Sequence, residues 1–318
     1  MTDAPELSVV VPMFDEEAVL PMFAERLRPV LDQLAARRGT DYEVLAVDDG
    51  SRDATPVLLE RIRRDWPQLR VVRLRANAGH QAALSAGLGR ARGAWVATLD
   101  ADLQDPPETL NPMIERADRG DVDVVYGVRS DRGTDSPFKR VTARVYYRVI
   151  RRLVGRHVPF DAGDFRLMSR ATVDAVNRLP EQHRVLRLAV PALAFPSDQV
   201  PYKRESRAAG STKYSLGRML RLSVDSLTGF SVAPLRLATW FGLGGAIATA
   251  TLLGVALVAY ATGHTVPGWT STFVAVSTVG AVQLFCLGLL GEYVGRLYTQ
   301  LQGRPSYHVA SDTHDLAE

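Results

Sequence analysis

Residues 7–127 alternate short apolar runs with longer segments in which apolar residues recur at helical spacing. Continuous apolar runs separated by helices are typical of a parallel β-sheet that is covered by helices on both faces. The pattern therefore predicts an α/β domain of about 230 residues, which is large enough for a full core. Strands are predicted at residues 7–12, 42–47, 69–74, 96–99 and 122–126, and helices at residues 16–38, 55–65, 81–92 and 108–119.

The pattern changes near residue 237. Residues 237–291 contain no Asp, Glu, Lys or Arg. Within them, residues 237–260 and 269–291 form two apolar runs of about 24 residues, and each could cross a hydrocarbon core of ~30 Å as a helix. Two buried core helices are the alternative, but such length without a charge favours a membrane hairpin.

Basic residues flank this hairpin on both sides, whereas the polar turn inside it has no Lys or Arg. Arg218, Arg221 and Arg236 precede the hairpin, and Arg296 and Arg304 follow its apolar part. Because positive residues concentrate on the cytoplasmic side of a membrane, both flanks are predicted to be cytoplasmic and the turn to lie outside.

Composition narrows the classes of function. Of 318 residues, 46% are hydrophobic and 23% charged, which excludes a disordered or fibrous protein. The net charge of +3 is too small to indicate a nucleic-acid partner. Cys286 is the single cysteine, so a disulfide within the chain is excluded, and no Cys and His cluster has zinc spacing. The first residues lack a basic region before an apolar run, so we do not expect a signal peptide.

Acidic residues follow three of the first four predicted strands. The carboxyl ends of parallel strands lie at one edge of the sheet, where such folds bind ligands, so these acids are expected to converge. Like charges brought together are costly unless a cation joins them. Helix capping is the alternative for Asp15, Ser51 or Asp53 taken singly. The acids are Asp15, Glu16 and Glu17 after the first strand, Asp48 and Asp49 after the second, and Asp100, Asp102 and Asp105 after the fourth.

Asp100-Ala101-Asp102 is the most specific of these acidic segments. Two carboxylates one residue apart, directly after a buried strand, can present oxygen ligands to one hard divalent cation. Mg²⁺ and Mn²⁺ prefer such ligands and keep coordination positions for substrate phosphates. The sequence has neither a Walker A motif nor GxGxxG after a strand, so P-loop and dinucleotide-binding functions lack their required loops.

Motifs of higher specificity are distributed along the chain. They are VVVPMFDEE (9–17), DDGS (48–51), RANAGHQAALSAG (75–87), DADLQDPPE (100–108), DAGDFRLMSR (161–170), RAAGSTKY (207–214), GEYVGRLY (291–298) and RPSY (304–307). Together they resemble the inverting family 2 glycosyltransferases of GT-A fold. The resemblance is closer to the polyprenyl-phosphate glycosyltransferases, such as dolichol-phosphate mannose synthases and bactoprenol glucosyltransferases, and the later motifs favour the two-helix bacterial branch.

The resemblance implies a binding site for a sugar nucleotide along the strand ends. Asp100 and Asp102 would bind Mg²⁺ or Mn²⁺ at the diphosphate, and Phe14 would stack on the base. Phe14 stands where the family more often has Tyr, and Asp15 where it more often has Asn, which leaves the base open. The implied donor-binding residues are Pro12, Phe14, Glu16, Asp48, Asp49, Asp100, Ala101, Asp102, Gln104, Arg204, Arg207 and Lys213.

Asp164 matches the acid that is proposed near the reacting centre of the family, so Asp102 and Asp164 are the implied catalytic residues. A lipid phosphate acceptor is already anionic and needs positioning more than deprotonation, so Asp164 is either a base or an orienting group. A structural pair with Arg166 is the other interpretation. His80 stands at a predicted helix start and is assigned to capping or packing.

The basic segment 138–156 interleaves cations with apolar residues at helical spacing. Such a helix can lie on a membrane surface with its cations directed towards lipid phosphates. Lys139, Arg140 and Arg144, together with Ser211 of the later basic loop, are candidates for binding the acceptor phosphate. A solvated charged face is the alternative interpretation.

The chain is expected to have four parts, and the basic segment 138–156 belongs to the first of them. They are a cytoplasmic GT-A domain at residues 1–214, an interfacial helix at residues 215–236, two transmembrane helices within residues 237–298, and a cytoplasmic tail at residues 299–318. The polar end of the tail, residues 309–318, is expected to fray.

The expected function is inverting transfer of one sugar from a nucleotide diphosphate sugar to undecaprenyl or decaprenyl phosphate, at a bacterial inner membrane. UDP-glucose is the first expectation, and GDP-mannose, UDP-N-acetylhexosamine or aminoarabinose donors stay open because no motif reads the sugar hydroxyls. A processive polysaccharide synthase would carry a QxxRW motif and more membrane helices. An inactive membrane-bound scaffold is the alternative from another class, and Asp100, Asp102 and Asp164 argue against it. The hairpin permits a homo-oligomer without requiring one.

Overall fold

The structure is a computed structural model that describes residues 4–130, 162–181, 184–205, 233–263 and 268–315. Some residues expected to bind phosphate lie outside the described residues, and their roles stay predictions. They are Lys139, Arg140 and Arg144 with the rest of the basic segment 138–156, and Arg207, Ser211 and Lys213. Most of the interfacial segment 215–236 also lies outside.

The elements of the described residues follow the predicted alternation closely. The strands are β1 (Leu7–Met13), β2 (Tyr42–Asp48), β3 (Leu69–Leu74), β4 (Trp95–Thr98), β5 (Val124–Arg129), β6 (Ala162–Ser169), β7 (Ser197–Tyr202) and β8 (Val309–Asp312). The helices are α1 (Leu20–Arg38), α2 (Thr55–Asp65), α3 (His80–Leu88), α4 (Leu110–Ala117), α5 (Arg170–Asn177), α6 (Leu186–Ala192), α7 (Ala233–Ala261) and α8 (Trp269–Leu301), with a 3₁₀ turn at Pro107–Thr109.

The eight strands of the described residues belong to one sheet, in the order β7-β5-β6-β4-β1-β2-β3-β8. The neighbours β4, β1, β2 and β3 are parallel, and β5 is parallel to β7. In contrast, β6 runs antiparallel to β4 and β5, and β8 runs antiparallel to β3. The predicted parallel sheet is thus confirmed for the centre, and the carboxyl ends of four parallel strands share one edge.

Helices cover both faces of this sheet. On β1, Val9 and Val11 pack in the same apolar cluster as Phe23 of α1, whereas Val10 packs in the cluster that contains α3. Gly87 lets α3 approach β1 closely, since a Cβ at this position would lie 2.3 Å from Cγ1 of Val10. Packing on two sides holds the strand ends in place, which is what a site at their edge requires.

The end of the chain returns to the sheet after the apolar helices. Asp312 of β8 is 3% exposed and accepts two hydrogen bonds of 2.7 and 2.6 Å from Arg70 of β3. Nε of Arg90 lies 3.2 Å from the same carboxylate. The expectation that residues 309–318 fray is therefore wrong for β8, because a buried ion pair and strand pairing hold a polar segment whose own pattern gives no strand signal.

The two apolar helices form a unit of their own. They contact each other where Sγ of Cys286 lies 3.6 Å from the carbonyl oxygen of Ala238. By length and composition, the windows Ala238–Val255 and Val274–Leu301 are each apolar enough to cross a membrane. The two compact units of the chain are Met1–Lys213 with Pro305–Glu318, and Tyr214–Arg304.

Candidate active site

Asp100 and Asp102 follow β4 at the carboxyl edge of the sheet. Both are partly exposed, whereas Ala101 between them is buried. The chain then turns through Leu103, whose φ of 57° is left-handed, and the N–H of Gln104 donates to Oδ1 of Asp102 at 3.1 Å. The predicted metal ligands thus lie on a tight turn that directs them to the edge where ligands bind in such sheets.

Strand pairing brings Asp164 to the same place. In the antiparallel register of β4 with β6, Thr98 lies opposite Arg166, and Nε2 of His80 lies 3.7 Å from Asp100 and 3.2 Å from Asp164. The hydroxyl of Thr98 also donates to the carbonyl oxygen of Asp164. The structure therefore brings together Asp100 and Asp164, which the sequence had linked only through the family resemblance.

The Asp164 carboxylate is surrounded by hydrogen-bond donors. Nη2 of Arg166 donates to Oδ1 at 2.7 Å, and Nε2 of His80 lies 3.2 Å from Oδ2. Burial alone would raise the pKa of Asp164, but the hydrogen bond from His80 and the charge of Arg166 outweigh it and hold the pKa well below its usual range. Asp164 is thus paired with Arg166, as the structural interpretation expects, and its catalytic role stays a prediction.

The side chain of His80 does not cap α3 and lies beside the acids instead. Its side chain is 40% exposed, and Nε2 lies 3.2 Å from Asp164 and 3.7 Å from Oδ1 of Asp100. Burial would lower the pKa of His80, but the hydrogen bond with Asp164 and the charges of both acids raise it. A signal was present in the sequence, since His80 follows the third strand at the same edge as the acids.

Asp100 has an environment that disfavours its own charge. Burial raises its pKa to about 6, and the negative charges of Asp164, Asp105 and Asp102 add to this effect against the opposing charge of His80. A divalent cation would relieve this repulsion, and carboxylate oxygens are suitable ligands for Mg²⁺ or Mn²⁺. The described residues contain no group of three His, Cys, Asp or Glu that could hold a metal by themselves. The two acids therefore suit a cation that completes its coordination with substrate and water.

Asp48 and Asp49 are buried at the end of β2 and bind the neighbouring loops. Asp49 accepts the N–H groups of Ala78 at 2.7 Å and of Gly79 at 2.8 Å, while Asp48 accepts the N–H of Ser51 at 2.8 Å. Gly79 has a φ of 95°, a conformation that glycine adopts without strain. Asp49 therefore shapes the loop that leads to His80, and contact of either acid with a nucleotide stays a prediction.

The loops after β1 and β2 are joined by reciprocal hydrogen bonds. Oδ1 of Asp15 accepts the N–H of Arg52 at 2.9 Å, and Asp53 accepts the N–H of Glu17 at 3.1 Å. Asp53 also accepts the N–H of Thr55, the first residue of α2, at 2.9 Å, but it precedes the N-cap position, Ala54, and is not the cap of that helix. Some of the acids at the edge are thus structural.

The other predicted donor-site residues lie on β1 or around the acidic turn. Pro12 is a buried residue of β1, and Phe14 and Glu16 are partly buried just after it. The side-chain oxygen of Gln104 accepts a hydrogen bond from Nη2 of Arg204, which brings these two predicted residues together. Their roles in binding a donor stay predictions.

The sequence matches a known protein family and has relatives that are similar over nearly their full length. Residues 8–176 match glycosyl transferase family 2. A Bacillus subtilis protein named uncharacterized glycosyltransferase YkcC is 38% identical over 96% of this chain and 93% of its own. The SfII prophage-derived bactoprenol glucosyl transferase of Shigella flexneri is 34% identical over 95% of this chain and 96% of its own.

A solved structure is similar in fold at low sequence identity. Glucosyl-3-phosphoglycerate synthase from Mycobacterium tuberculosis aligns with a TM-score of 0.52 and 20% identity, over 70% of this chain and 76% of its own. Together with the family match, this similarity confirms the predicted fold class, a mostly parallel GT-A domain followed by two apolar helices.

Proposed function

The chain belongs to glycosyl transferase family 2, and on this basis we propose that it transfers one glucosyl unit from UDP-glucose to a polyprenyl phosphate. The structural observation that carries the proposal is the acidic cluster of Asp100, Asp102, Asp105 and Asp164, which lies at the ligand-binding edge of a GT-A sheet. The acceptor rests on the Shigella relative, which is named a bactoprenol glucosyl transferase and matches over nearly the full length of both chains.

Asp100 and Asp102 would hold Mg²⁺ or Mn²⁺, which would offset the charge that develops on the departing diphosphate. The raised pKa of Asp100 supports this role, because a cation beside it would favour the ionised form that binds metal. Arg204, which lies against Gln104 of the same turn, would add a positive charge on the phosphate side.

The reaction would be a single displacement at the anomeric carbon. An acceptor phosphate oxygen forms a bond to that carbon with its own electron pair, while the bond from the carbon to the diphosphate oxygen breaks and UDP leaves with the bonding electrons. One displacement inverts the anomeric configuration. Since the acceptor oxygen is already ionised, no proton has to be removed. Asp164, whose pKa is held low, would therefore orient groups at the reacting centre.

The apolar helices would hold the enzyme in the membrane that contains its lipid acceptor. The chain leaves the sheet before α7 and rejoins it as β8 after α8. Two crossings return the chain to the side from which it started, as this connectivity requires. With the basic residues of both flanks, this supports a hairpin whose two ends lie on the cytoplasmic side.

A donor screen tests the proposal. Purified full-length protein in detergent is given polyprenyl phosphate, Mg²⁺ or Mn²⁺, and one radiolabelled donor at a time: UDP-glucose, UDP-N-acetylglucosamine, UDP-galactose or GDP-mannose. We expect label from UDP-glucose in the lipid phase, and no product after EDTA. A product from another donor would replace the assigned sugar.

Folded protein that yields no lipid product from any donor would overturn the proposed acceptor. The contribution of the hairpin is better tested with acceptors than with a truncation, because deletion of residues 237–318 would also remove β8 from the sheet. We expect a short, water-soluble prenyl phosphate to be a much poorer acceptor than the long-chain lipid, while UDP-glucose binding stays unchanged. Equal use of both acceptors would contradict a role for membrane attachment.

A further inference from the structure

Gln81 connects the Asp164 carboxylate to a different part of the domain. Its side-chain nitrogen donates to Oδ2 of Asp164 at 3.2 Å, and its side-chain oxygen accepts the backbone N–H of Leu186 at 2.8 Å. Gln81 is the second residue of α3, Asp164 belongs to β6, and Leu186 is the first residue of α6. One amide thus joins three elements at the Asp164 carboxylate.

Arg166 joins the same two groups from the other side. Its Nη2 donates to Oδ1 of Asp164 at 2.7 Å, and its Nη1 donates to the carbonyl oxygen of Leu186 at 2.8 Å. The peptide groups of Leu186 therefore anchor both side chains that hold the carboxylate. Arg166 is 1% exposed, so this part of the closed ring of hydrogen bonds lies in the interior.

The ring determines which way the carboxylate of Asp164 faces. A carboxylate offers about four lone-pair positions. His80 and Gln81 occupy Oδ2, and Arg166 occupies Oδ1. Rotation about the last side-chain bond would break at least two of these contacts. Without Gln81, Oδ2 would keep only His80, whose side chain is 40% exposed and therefore less constrained.

We infer that Gln81 is a positioning residue of the transferase reaction, which holds Asp164 in its reactive orientation by tying it to Leu186. The inference rests on the proposed function, because it gives Asp164 a task at the reacting centre. Both polar ends of Gln81 are bound to protein, so it acts through Asp164 and not by contact with the donor. Loss of Gln81 should therefore lower kcat and leave the KM for the donor unchanged.

Two variants of Gln81 and one control variant test the hydrogen bonds of Gln81 to Asp164 and Leu186. Gln81→Met keeps the approximate length of the side chain and removes both hydrogen bonds. Gln81→Glu keeps an oxygen that can accept from Leu186 but places a second negative charge against Asp164. Gln33→Met is the matched control, because Gln33 is an exposed residue of α1. Each variant is assayed for transfer to polyprenyl phosphate, for hydrolysis of UDP-glucose without acceptor, and for thermal unfolding.

We expect Gln81→Met to lower kcat by ~10–100-fold, the range that a misplacement of about 1 Å produces, with donor KM within about twofold of the native value. Gln81→Glu should be at least as impaired, and Gln33→Met should match the native enzyme. In the Asp164→Asn background, Gln81→Met should change kcat by less than about twofold, because both changes then affect the same group.

Several outcomes would overturn the inference. Gln81→Glu with native kcat would mean that only the bond to Leu186 matters, which is a structural role. A rise in KM as large as the fall in kcat would assign Gln81 to donor binding. A full additional loss in the Asp164→Asn background would show that Gln81 does not act through Asp164. If the native enzyme gives no lipid product, only the proposed acceptor is overturned. The role of Gln81 can then still be measured by the effect of Gln81→Met on the rate of UDP-glucose hydrolysis.

Discussion

Two clusters of acids and arginines lie in the same sheet and differ in how the charges of their acids are balanced. In the C-terminal cluster, Asp312 is bound by Arg70 and approached by Arg90, and these hydrogen bonds outweigh burial and lower its pKa. In the cluster at the carboxyl edge, burial and then the charges of neighbouring acids raise the pKa of Asp100 to about 6. One cluster is stabilised by its protein partners, whereas the repulsion in the other would be relieved by an added cation.

The contrast shows that an arginine–carboxylate pair alone does not mark an active site. Asp164 pairs with Arg166 as closely as Asp312 pairs with Arg70. What distinguishes Asp164 is its neighbours, because His80 lies within hydrogen-bond distance of it and the same ring nitrogen is 3.7 Å from Asp100. Perturbed ionisation of a neighbouring acid is thus the more useful sign of function.

The largest effect should come from Asp102→Ala. Loss of a metal ligand should lower transfer by about 10³-fold or more, because stabilisation of the leaving diphosphate is lost. Thermal unfolding should change little, since Asp102 is partly exposed. Asp121→Ala is the control, because Asp121 is 64% exposed. Full activity of Asp102→Ala would remove this residue from the metal site.

Asp164→Asn should have the next largest effect. The asparagine has nearly the same shape, but its amide NH₂ would face donors of His80, Gln81 or Arg166 and could not satisfy all of them. We expect kcat to fall by about 10²-fold with little change in donor KM. Asp174→Asn is the matched control, because Asp174 also faces an arginine, Arg170, but is 45% exposed. Native kcat in Asp164→Asn would return Asp164 to a purely structural role.

Asp312→Asn should affect stability and leave catalysis intact. Removal of one partner from a buried ion pair should lower the free energy of unfolding by about 3 kcal/mol. The midpoint of urea unfolding measures this loss, and kcat at a temperature where the variant is folded should equal the native value. Asp315→Asn is the control, because Asp315 is exposed in the following turn. A drop in kcat without loss of stability would mean that the two clusters are not functionally separate.

The smallest effect concerns the pH dependence of that stabilisation. The pKa of Asp312 is lowered in the folded chain, so its contribution is fully present above the unfolded pKa of about 3.9 and is lost as pH falls through the lower folded pKa. The difference in unfolding free energy between the native protein and Asp312→Asn should therefore be constant from about pH 5 to 7. It should shrink below about pH 4. A difference that grows on acidification would have the wrong sign.

Much of the fold could be predicted because local patterns report the burial of each segment. The predicted strand 69–74 and helix 55–65 match β3 and α2, and the two apolar runs lie within α7 and α8. The strands β6, β7 and β8 were not predicted, because none shows the continuous apolar pattern of a central strand. β8 in particular is polar and depends on a partner strand far away in the chain.

The sequence by itself determined where the acids stand, because each follows a strand that its own apolar residues specify. It also determined the length and charge-free character of the hairpin, which depend on composition alone. Only the tertiary structure decided that Asp164 lies near Asp100, that His80 and Gln81 hold Asp164, and that β8 rejoins the sheet. The physical reason is that strand order and register depend on the pairing of distant segments, and such pairing leaves no mark in the local periodicity of either segment.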